Sequence, residues 1–212
     1  ALHIPSHSKQ DFSTHLSRLI SQSASAASKH LRKNKPARGI TVSADGQLTL
    51  NKIAGTAKLL TNRTHAVSLE RPSNNLTFGA ITLETTSAAG LFAVSSLDMK
   101  PVEKSNRLLI IYATDARNTD MRFADAEERT IIDFGRRPTL LRHGKLTALL
   151  NTRLGGSGSR SKWRLQRLDL TGRVVDTITL SPSNQGLRFT LDNAPAGGVA
   201  TTYWLLEQIA KN

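Results

Sequence analysis

The chain contains no cysteine, which excludes disulfides, thiolate metal sites and thiol nucleophiles. The compartment stays open, because a domain of this size can be secreted without cysteines. No stretch approaches the roughly 18 consecutive apolar residues of a membrane-spanning helix, and the first residues lack the apolar core of a secretory signal. The expectation is a soluble chain as written, with any signal or upstream region already removed. Long helical periodicity is missing after Gly39, which argues against a TIM barrel, a doubly wound sheet and a kinase-like fold.

Acidic residues are scarce relative to basic ones, 16 against 29, for a formal net charge of +13. A surface of that sign favours polyanions: nucleic acid, anionic lipid or acidic polysaccharide. The distribution is uneven. Residues 1 to 38 carry Lys9, Arg18, Lys29, Arg32, Lys33, Lys35 and Arg38 against Asp11 alone. That asymmetry suggests a basic arm or linker over 1–38, ahead of a mildly basic domain over 39–212. Within the arm, Phe12, Leu16, Leu19 and Ile20 follow Asp11 at helical spacing and predict one helix, weakened by the Ser/Ala run at 21–28.

From residue 40 to 207 the apolar stretches are short, alternating or β-branched, and are bounded by Gly, Asn, Asp or Pro. "ITVSADGQLTLNKI" reads as strand, Asp45-Gly46 turn, strand. Further strands are expected at "AKLLT", "HAVSLE", "LTFGAITLET", "LFAVSSL", "RLLIIYATD", "ERTIIDF", "KLTALLNT", "WRLQRLDL", "RVVDTITL", "LRFTL" and "ATTYWLLE". About a dozen short strands separated by turn signals predict an all-β fold, an antiparallel sandwich or barrel.

Few residues assemble into recognisable chemistry. "LGGSGSR" at 154–160 lacks the Lys-Ser/Thr and the following helix of a phosphate-binding loop. His3 and His7 are separated by Pro5, which disfavours a helix presenting both to a metal. No Gly-x-Ser-x-Gly elbow selects a catalytic triad. The acids Asp115, Asp120, Asp125, Glu127 and Glu128 alternate with Arg117, Arg122 and Arg129. That interleaving lowers carboxylate pKa values and builds salt-linked loops, whereas glycoside hydrolysis needs one carboxyl with a raised pKa. No cofactor is expected, a structural calcium in this acidic loop being the alternative.

One stretch carries a resemblance. "SSLDMKPVEKSNRLLIIYATDARNTDM", residues 95–121, is similar to the "tSLDGkPi-eS-RlLlt-ar-eNTgM" signature in the C-terminal β-sandwich module of large secreted bacterial glycoside hydrolases with a (β/α)8 catalytic domain. The opening "ITVSADGQLTLNKIAGTAKLLTNRTHAVSL" and the closing "FGRRPTLL", "LQRLDLTGRVV" and "TYWLLE" resemble the same module, so the likeness spans about residues 39–207. Two departures stand out: Met99 occupies a position where that family has glycine, so this turn must avoid or tolerate a positive φ, and Asp120 replaces the glycine of "NTGM", which adds a carboxylate to the loop. Aromatics, 5% of the chain, are sparse for a module that binds sugars.

The resemblance implies a β-sandwich, a secreted or periplasmic location, and a non-catalytic accessory role beside a polysaccharide-degrading domain, with glycan binding as the ligand function. Trp163, flanked by Arg160, Lys162 and Arg164, is the best single candidate for a sugar-stacking platform, its basic neighbours favouring uronic or sulfated sugars, and the alternative is an ordinary core residue of the sandwich. Arg117 and Asn118 form a second candidate pair. Tyr203 and Trp204 are consecutive on a strand, so one faces inward and the other outward. From a different class, charge alone permits a basic β-rich module that binds nucleic acid or another polyanion without sequence specificity. "SRSKWRLQR" interleaves basic residues with an aromatic only once.

Overall fold

A computed structural model describes residues 38–126, 128, 130–151 and 161–209. The helix expected within 11–33 and the glycine-rich loop at 154–160 lie outside the described residues. Among the described residues seventeen strands follow one another: β1 (Ile40–Val42), β2 (Leu48–Asn51), β3 (Thr56–Leu60), β4 (Thr64–Leu69), β5 (Asn74–Phe78), β6 (Ile81–Thr86), β7 (Gly90–Ser96), β8 (Arg107–Ala113), β9 (Ala116–Thr119), β10 (Arg122–Phe123), β11 (Ile131–Asp133), β12 (Arg136–Leu141), β13 (Lys145–Leu150), β14 (Trp163–Leu168), β15 (Val174–Leu180), β16 (Leu187–Asp192) and β17 (Tyr203–Gln208). Their pairings are antiparallel, and the fold is the expected all-β sandwich. The described residues form two compact units, one of 38–54 with 116–141 and the other of 55–115 with 142–209.

In the larger unit one sheet runs β3-β4-β7-β8-β17-β14-β15 and a second runs β16-β13-β6-β5. Alternation produces both. On β8, Leu108, Ile110 and Tyr112 are buried, with Leu109 and Ile111 only half covered on the other face. On β16, Leu187, Phe189 and Leu191 are buried while Arg188 and Thr190 face water. The inward rows of the two sheets form one apolar cluster that includes Val67, Phe92, Val94 and Leu165 from the first sheet and Phe78, Leu83, Leu146 and Leu150 from the second. Phe78 meets Phe92 edge to face with centroids 6.3 Å apart, a favoured aromatic geometry. Fully burying one such side chain contributes roughly 1.5–3 kcal/mol.

Trp163 belongs to this cluster and is completely buried. That corrects its expected place as an exposed sugar platform. It occupies the inward phase of β14, in step with Leu165, and so neither face of the indole is open to a ring. Trp204 is the inward member of its pair and Tyr203 the outward one.

Two expectations about strands also change. "LTFGAITLET" is a hairpin, β5 and β6, in which Phe78 opposes Ile81. Gly79 makes the reversal at φ +53°, and a β-carbon there would collide with the His65 ring. The strand count exceeds a dozen because that run divides and because β9, β10 and β12 lie in segments too polar or proline-interrupted to read as strands.

In the smaller unit, β1 and β2 pair from Ile40↔Asn51 to Val42↔Thr49, as the Asp45-Gly46 signal predicts. Asp45 Oδ1 accepts from Ser43 Oγ at 2.6 Å and from the Gln47 N–H at 3.1 Å, and Gly46 adopts φ +74°. Separately, β9 pairs with β12 across a bulge between Arg136 and Thr139, and β10 pairs with β11.

Two outcomes are expected. Trp163→Ala should destabilise the chain by about 3–5 kcal/mol in urea unfolding, and Trp163→Phe by clearly less, because the buried indole N–H has no partner to lose. His65 is buried, and its Nδ1 accepts the Ala80 N–H at 3.2 Å. Burial pushes its pKa below the ordinary value, against the opposing charge of Glu103 and a backbone bond at Thr61. The unfolded chain therefore takes up the proton first, so this part of the stability is complete above the ordinary histidine pKa of about 6.5 and falls away below it. Unfolding free energy measured from pH 7.5 to 5 should decline less steeply in His65→Gln.

Candidate functional site

Arg164 and Trp163 lie in the larger unit, and Arg117 and Asn118 in the smaller. Arg164 alternates outward from Trp163, is exposed, and lies 3.6 Å from the Glu207 carboxylate on the neighbouring β17. Arg107 holds the same carboxylate more closely, at 2.8 Å. Arg117 on β9 is ion-paired with Glu128 at 2.5 Å, and its guanidinium sits 5.2 Å from the Phe123 ring centroid. Asn118 donates from Nδ2 to the Phe134 carbonyl at 3.0 Å and accepts from Thr139 Oγ1 at 2.9 Å. Thr119 Oγ1 donates to the Pro138 carbonyl at 2.8 Å. These side chains fasten their own loops together and leave Asn118 little capacity for a ligand.

Salt links do form in the acidic segment, although the arginines that pair with Asp115 and Asp120 come from outside it. Arg142 meets Asp115 at 3.2 Å, Arg136 meets Asp120 at 2.9 Å, and Arg122 meets Asp133 at 3.2 Å. Asp133 is held below its usual range first by the Gly135 N–H and then by Arg122. Among the described residues no group of three or more His, Asp or Glu side chains is arranged to hold a metal ion.

The turn after β7 is organised by one carboxylate. Asp98 Oδ1 accepts from Ser96 Oγ at 2.9 Å and Ser105 Oγ at 2.7 Å, and Oδ2 accepts the Asn106 N–H at 2.9 Å with Lys100 at 3.4 Å. Burial would raise this carboxyl, but the donors from Asn106, Ser105, Ser96 and Lys100 outweigh it and hold the pKa far below the ordinary carboxylate range. The Ser105 hydroxyl, fully buried, lies within reach of both Asp98 Oδ1 and the Arg107 carbonyl at 2.8 Å and can donate its single hydrogen to either, and β8 starts from there. The next residue, Met99, has φ +64°.

A pocket that the sequence reading missed lies at the end of the sandwich, at the free edge of β15 beside β16. It is small, about 110 Å³, and is lined by Leu165, Arg167, Asp176, Ile178, Asp192 and Trp204, with Thr190 and Pro195 completing it. Strand register explains the assembly. Arg167 stands opposite Trp204 on one neighbouring strand and opposite Asp176 on the other, so the three side chains share one face of the sheet, with Trp204 buried, Arg167 half-buried and Asp176 exposed on the edge strand. A register shift follows Arg167, leaving Val175 as an extra residue just beyond Asp176. Such bulges bend a strand and re-aim adjacent side chains.

The polar groups of this pocket are unevenly satisfied. Arg167 Nη1 donates to the Val199 carbonyl at 2.9 Å, while its Nε is buried without a partner. Asp176 Oδ1 accepts the Thr177 N–H at 2.8 Å. Asp192 is engaged by His143 at 2.9 Å, Lys145 at 3.2 Å and the Ala194 N–H at 3.1 Å. Burial would raise the Asp192 carboxyl, but these donors, Lys145 foremost, bring it below its usual range. The signal in the sequence was phase. In "WRLQRL" an arginine occupies the third inward position after Trp163 and Leu165, where an apolar residue would continue the core. Comparison with protein-family models, with curated proteins and with solved structures found no match.

Replacing Asp98 by alanine leaves the Asn106 N–H and the Ser96 hydroxyl without their acceptor, Ser105 keeping the Arg107 carbonyl, and should cost about 1.5–3 kcal/mol at pH 7. The sign with pH is fixed by the depressed pKa: the stabilisation is present above the unfolded carboxylate pKa of about 4 and is lost as pH falls through the lower folded value. In urea unfolding the gap between Asp98→Ala and the parent chain should narrow steadily below pH 4.

Proposed function

We propose that this chain is a non-catalytic β-sandwich accessory module of a polysaccharide-degrading glycoside hydrolase, supporting the catalytic domain and binding glycan, in a secreted or periplasmic setting. The observation that carries this reading is backbone conformation at two residues. Met99 and Asp120 have φ values of +64° and +61°, at the two places where the resembled signature has glycine. Left-handed backbone is where glycine is favoured, and a non-glycine residue there is strained by roughly 1–2 kcal/mol. The substitutions that set this sequence apart therefore keep the turn geometry that glycine would serve.

Two further features support the reading. The Asp98 turn and the Asp169 turn of the β14-β15 hairpin each fall within the resembled "SLD" and "LDLTG" segments. Asp169 Oδ1 accepts from the Thr171 N–H, Thr171 Oγ1 and the Arg173 N–H at 2.8, 2.7 and 3.0 Å. Asp115, Asp120 and Glu128, from the acidic cluster that could have acted in pairs, are instead each ion-paired with an arginine.

Affinity electrophoresis of the full chain tests the proposal, on dextran, mannan, hydroxyethylcellulose, polygalacturonate and heparin at 50 and 500 mM salt. Retardation on a glycan that persists at high salt, with no release of reducing sugar, is the expected result. Glycoside cleavage by the chain alone would overturn the non-catalytic assignment. Retardation only by heparin or polygalacturonate, collapsing with salt, would assign the +13 charge to polyanion binding instead.

The backbone argument has its own check. Met99→Gly should stabilise the chain by about 1 kcal/mol, roughly 2–4 °C in Tm. Asp120→Gly should be near neutral, because aspartate tolerates the left-handed region better and its pair with Arg136 is lost. A lower Tm in Met99→Gly would contradict the strain assigned to that turn.

A further inference from the structure

We infer that the pocket around Arg167, Asp176 and Trp204 is the glycan subsite, and that it takes a vicinal diol on one edge of a neutral sugar. The inference rests on the glycan-binding reading above and gives it a location and a ligand class different from those the sequence suggested.

The argument begins with an arginine placed where the core should continue. On β14 the inward positions are Trp163, Leu165 and Arg167. A guanidinium turned toward a sandwich interior ordinarily finds a carboxylate, because a buried cation without one is costly. Arg167 has none within salt-bridge distance among the described residues, although Asp176 stands directly across from it on β15. Its recorded bond is to the Val199 carbonyl, and its Nε has no acceptor. A donor-only guanidinium, half-buried, and an acceptor-only carboxylate, exposed at the mouth, thus line one pocket without bonding each other.

That combination selects the chemistry of the ligand. A hydroxyl donates once and accepts twice, so two adjacent hydroxyls can accept from the guanidinium fork while donating to the Asp176 carboxylate. An anion would satisfy Arg167 but would meet Asp176 and Asp192. A cation would meet Arg167 itself. The formal charges balance, with Asp192 already engaged by Lys145 and His143, so no surplus of either sign draws in an ion. Uronic or sulfated sugars, which the basic flanks of Trp163 suggested, are disfavoured here.

Size and surroundings fit one edge of a sugar. A volume of about 110 Å³ corresponds to three or four waters at roughly 30 Å³ each, enough for a pair of hydroxyls and the carbons that bear them. Trp204 and Leu165 close the inner wall, and Ile178, about half exposed, stands at the rim. The bulge at Val175 bends β15 next to Asp176, in keeping with the concentration of such features beside binding sites.

The test compares three variants with the parent chain on the same dextran, mannan and hydroxyethylcellulose gels, with polygalacturonate and heparin as charged controls. Arg167→Met keeps the aliphatic stem and removes the donors, Asp176→Asn keeps the shape and removes the charge, and Ile178→Lys obstructs the mouth from an exposed position. Near-ultraviolet circular dichroism and Tm confirm that each is folded. The expected result is binding to a neutral glycan that is insensitive to salt and at least tenfold weaker in both Arg167→Met and Ile178→Lys. Asp176→Asn should weaken it by a smaller factor. Neutral-glycan binding that survives all three would overturn the pocket while leaving the module reading intact. Binding confined to polygalacturonate or heparin would overturn the neutral-diol assignment, and no binding to any glycan would overturn both the subsite and the glycan-binding role.

Discussion

The larger unit depends on the burial of two antiparallel sheets against each other, and above all on the row that places Trp163, Leu165, Trp204 and Leu206 opposite the inward residues of the smaller sheet. That layer draws one side chain in two from each strand into a common apolar cluster. Once the faces are committed, a one-residue slip in any strand would exchange its apolar and polar faces, so register follows from burial. The turns then solve local problems within a fixed frame. Asp98 gathers three neutral donors and a lysine so that β8 begins in the correct phase, and Asp169 does the same between β14 and β15 with two backbone N–H groups and a hydroxyl.

Polar groups are retained inside this frame in two different ways. Asn193 is fully buried yet satisfied: Nδ2 donates to Thr114 Oγ1 at 2.9 Å and to the Arg142 carbonyl at 3.1 Å, and Oδ1 accepts the Gly144 N–H at 2.8 Å. It fastens the end of β16 to the segments flanking β8 and β13, as a satisfied buried amide is expected to do. Arg167 is the opposite case, a half-buried cation with bonding capacity unused beside a carboxylate that is also only partly used. Buried hydrogen-bonding groups without partners are the exception in folded proteins, and Arg167 Nε shares that state with the Trp163 indole N–H.

How much was legible in the sequence varied with the range of the interaction involved. The Asp45-Gly46 turn and the core strand over Arg107–Ala113 follow from neighbours a few residues apart and were readable, whereas the arginine partners of Asp115, Asp120 and Glu128 lie 27, 16 and 11 residues away. The break inside "LTFGAITLET" was not read, although Gly79 marked it. The aspartate-centred turn after β7 was partly legible, since Asp98 was read as a turn residue. Its bonds to Ser105 and Asn106 depend on how the intervening loop closes.

Alternation alone fixed the fold class, the inward and outward pairing of Tyr203 with Trp204, and the presence of a hairpin at residues 95–113, because period-2 patterning is written directly in residue order. Tertiary structure decided which alternating face became the core. For that reason Trp163, with cationic neighbours that look like a ligand site in one dimension, is packed among Leu and Phe in three. It also decided that Trp204, Arg167 and Asp176, drawn from three strands and widely separated in the chain, share one pocket. Cross-strand neighbours are set by the register of β17 on β14 and of β14 on β15, which arises from the burial of whole faces and leaves no mark in any single stretch of sequence.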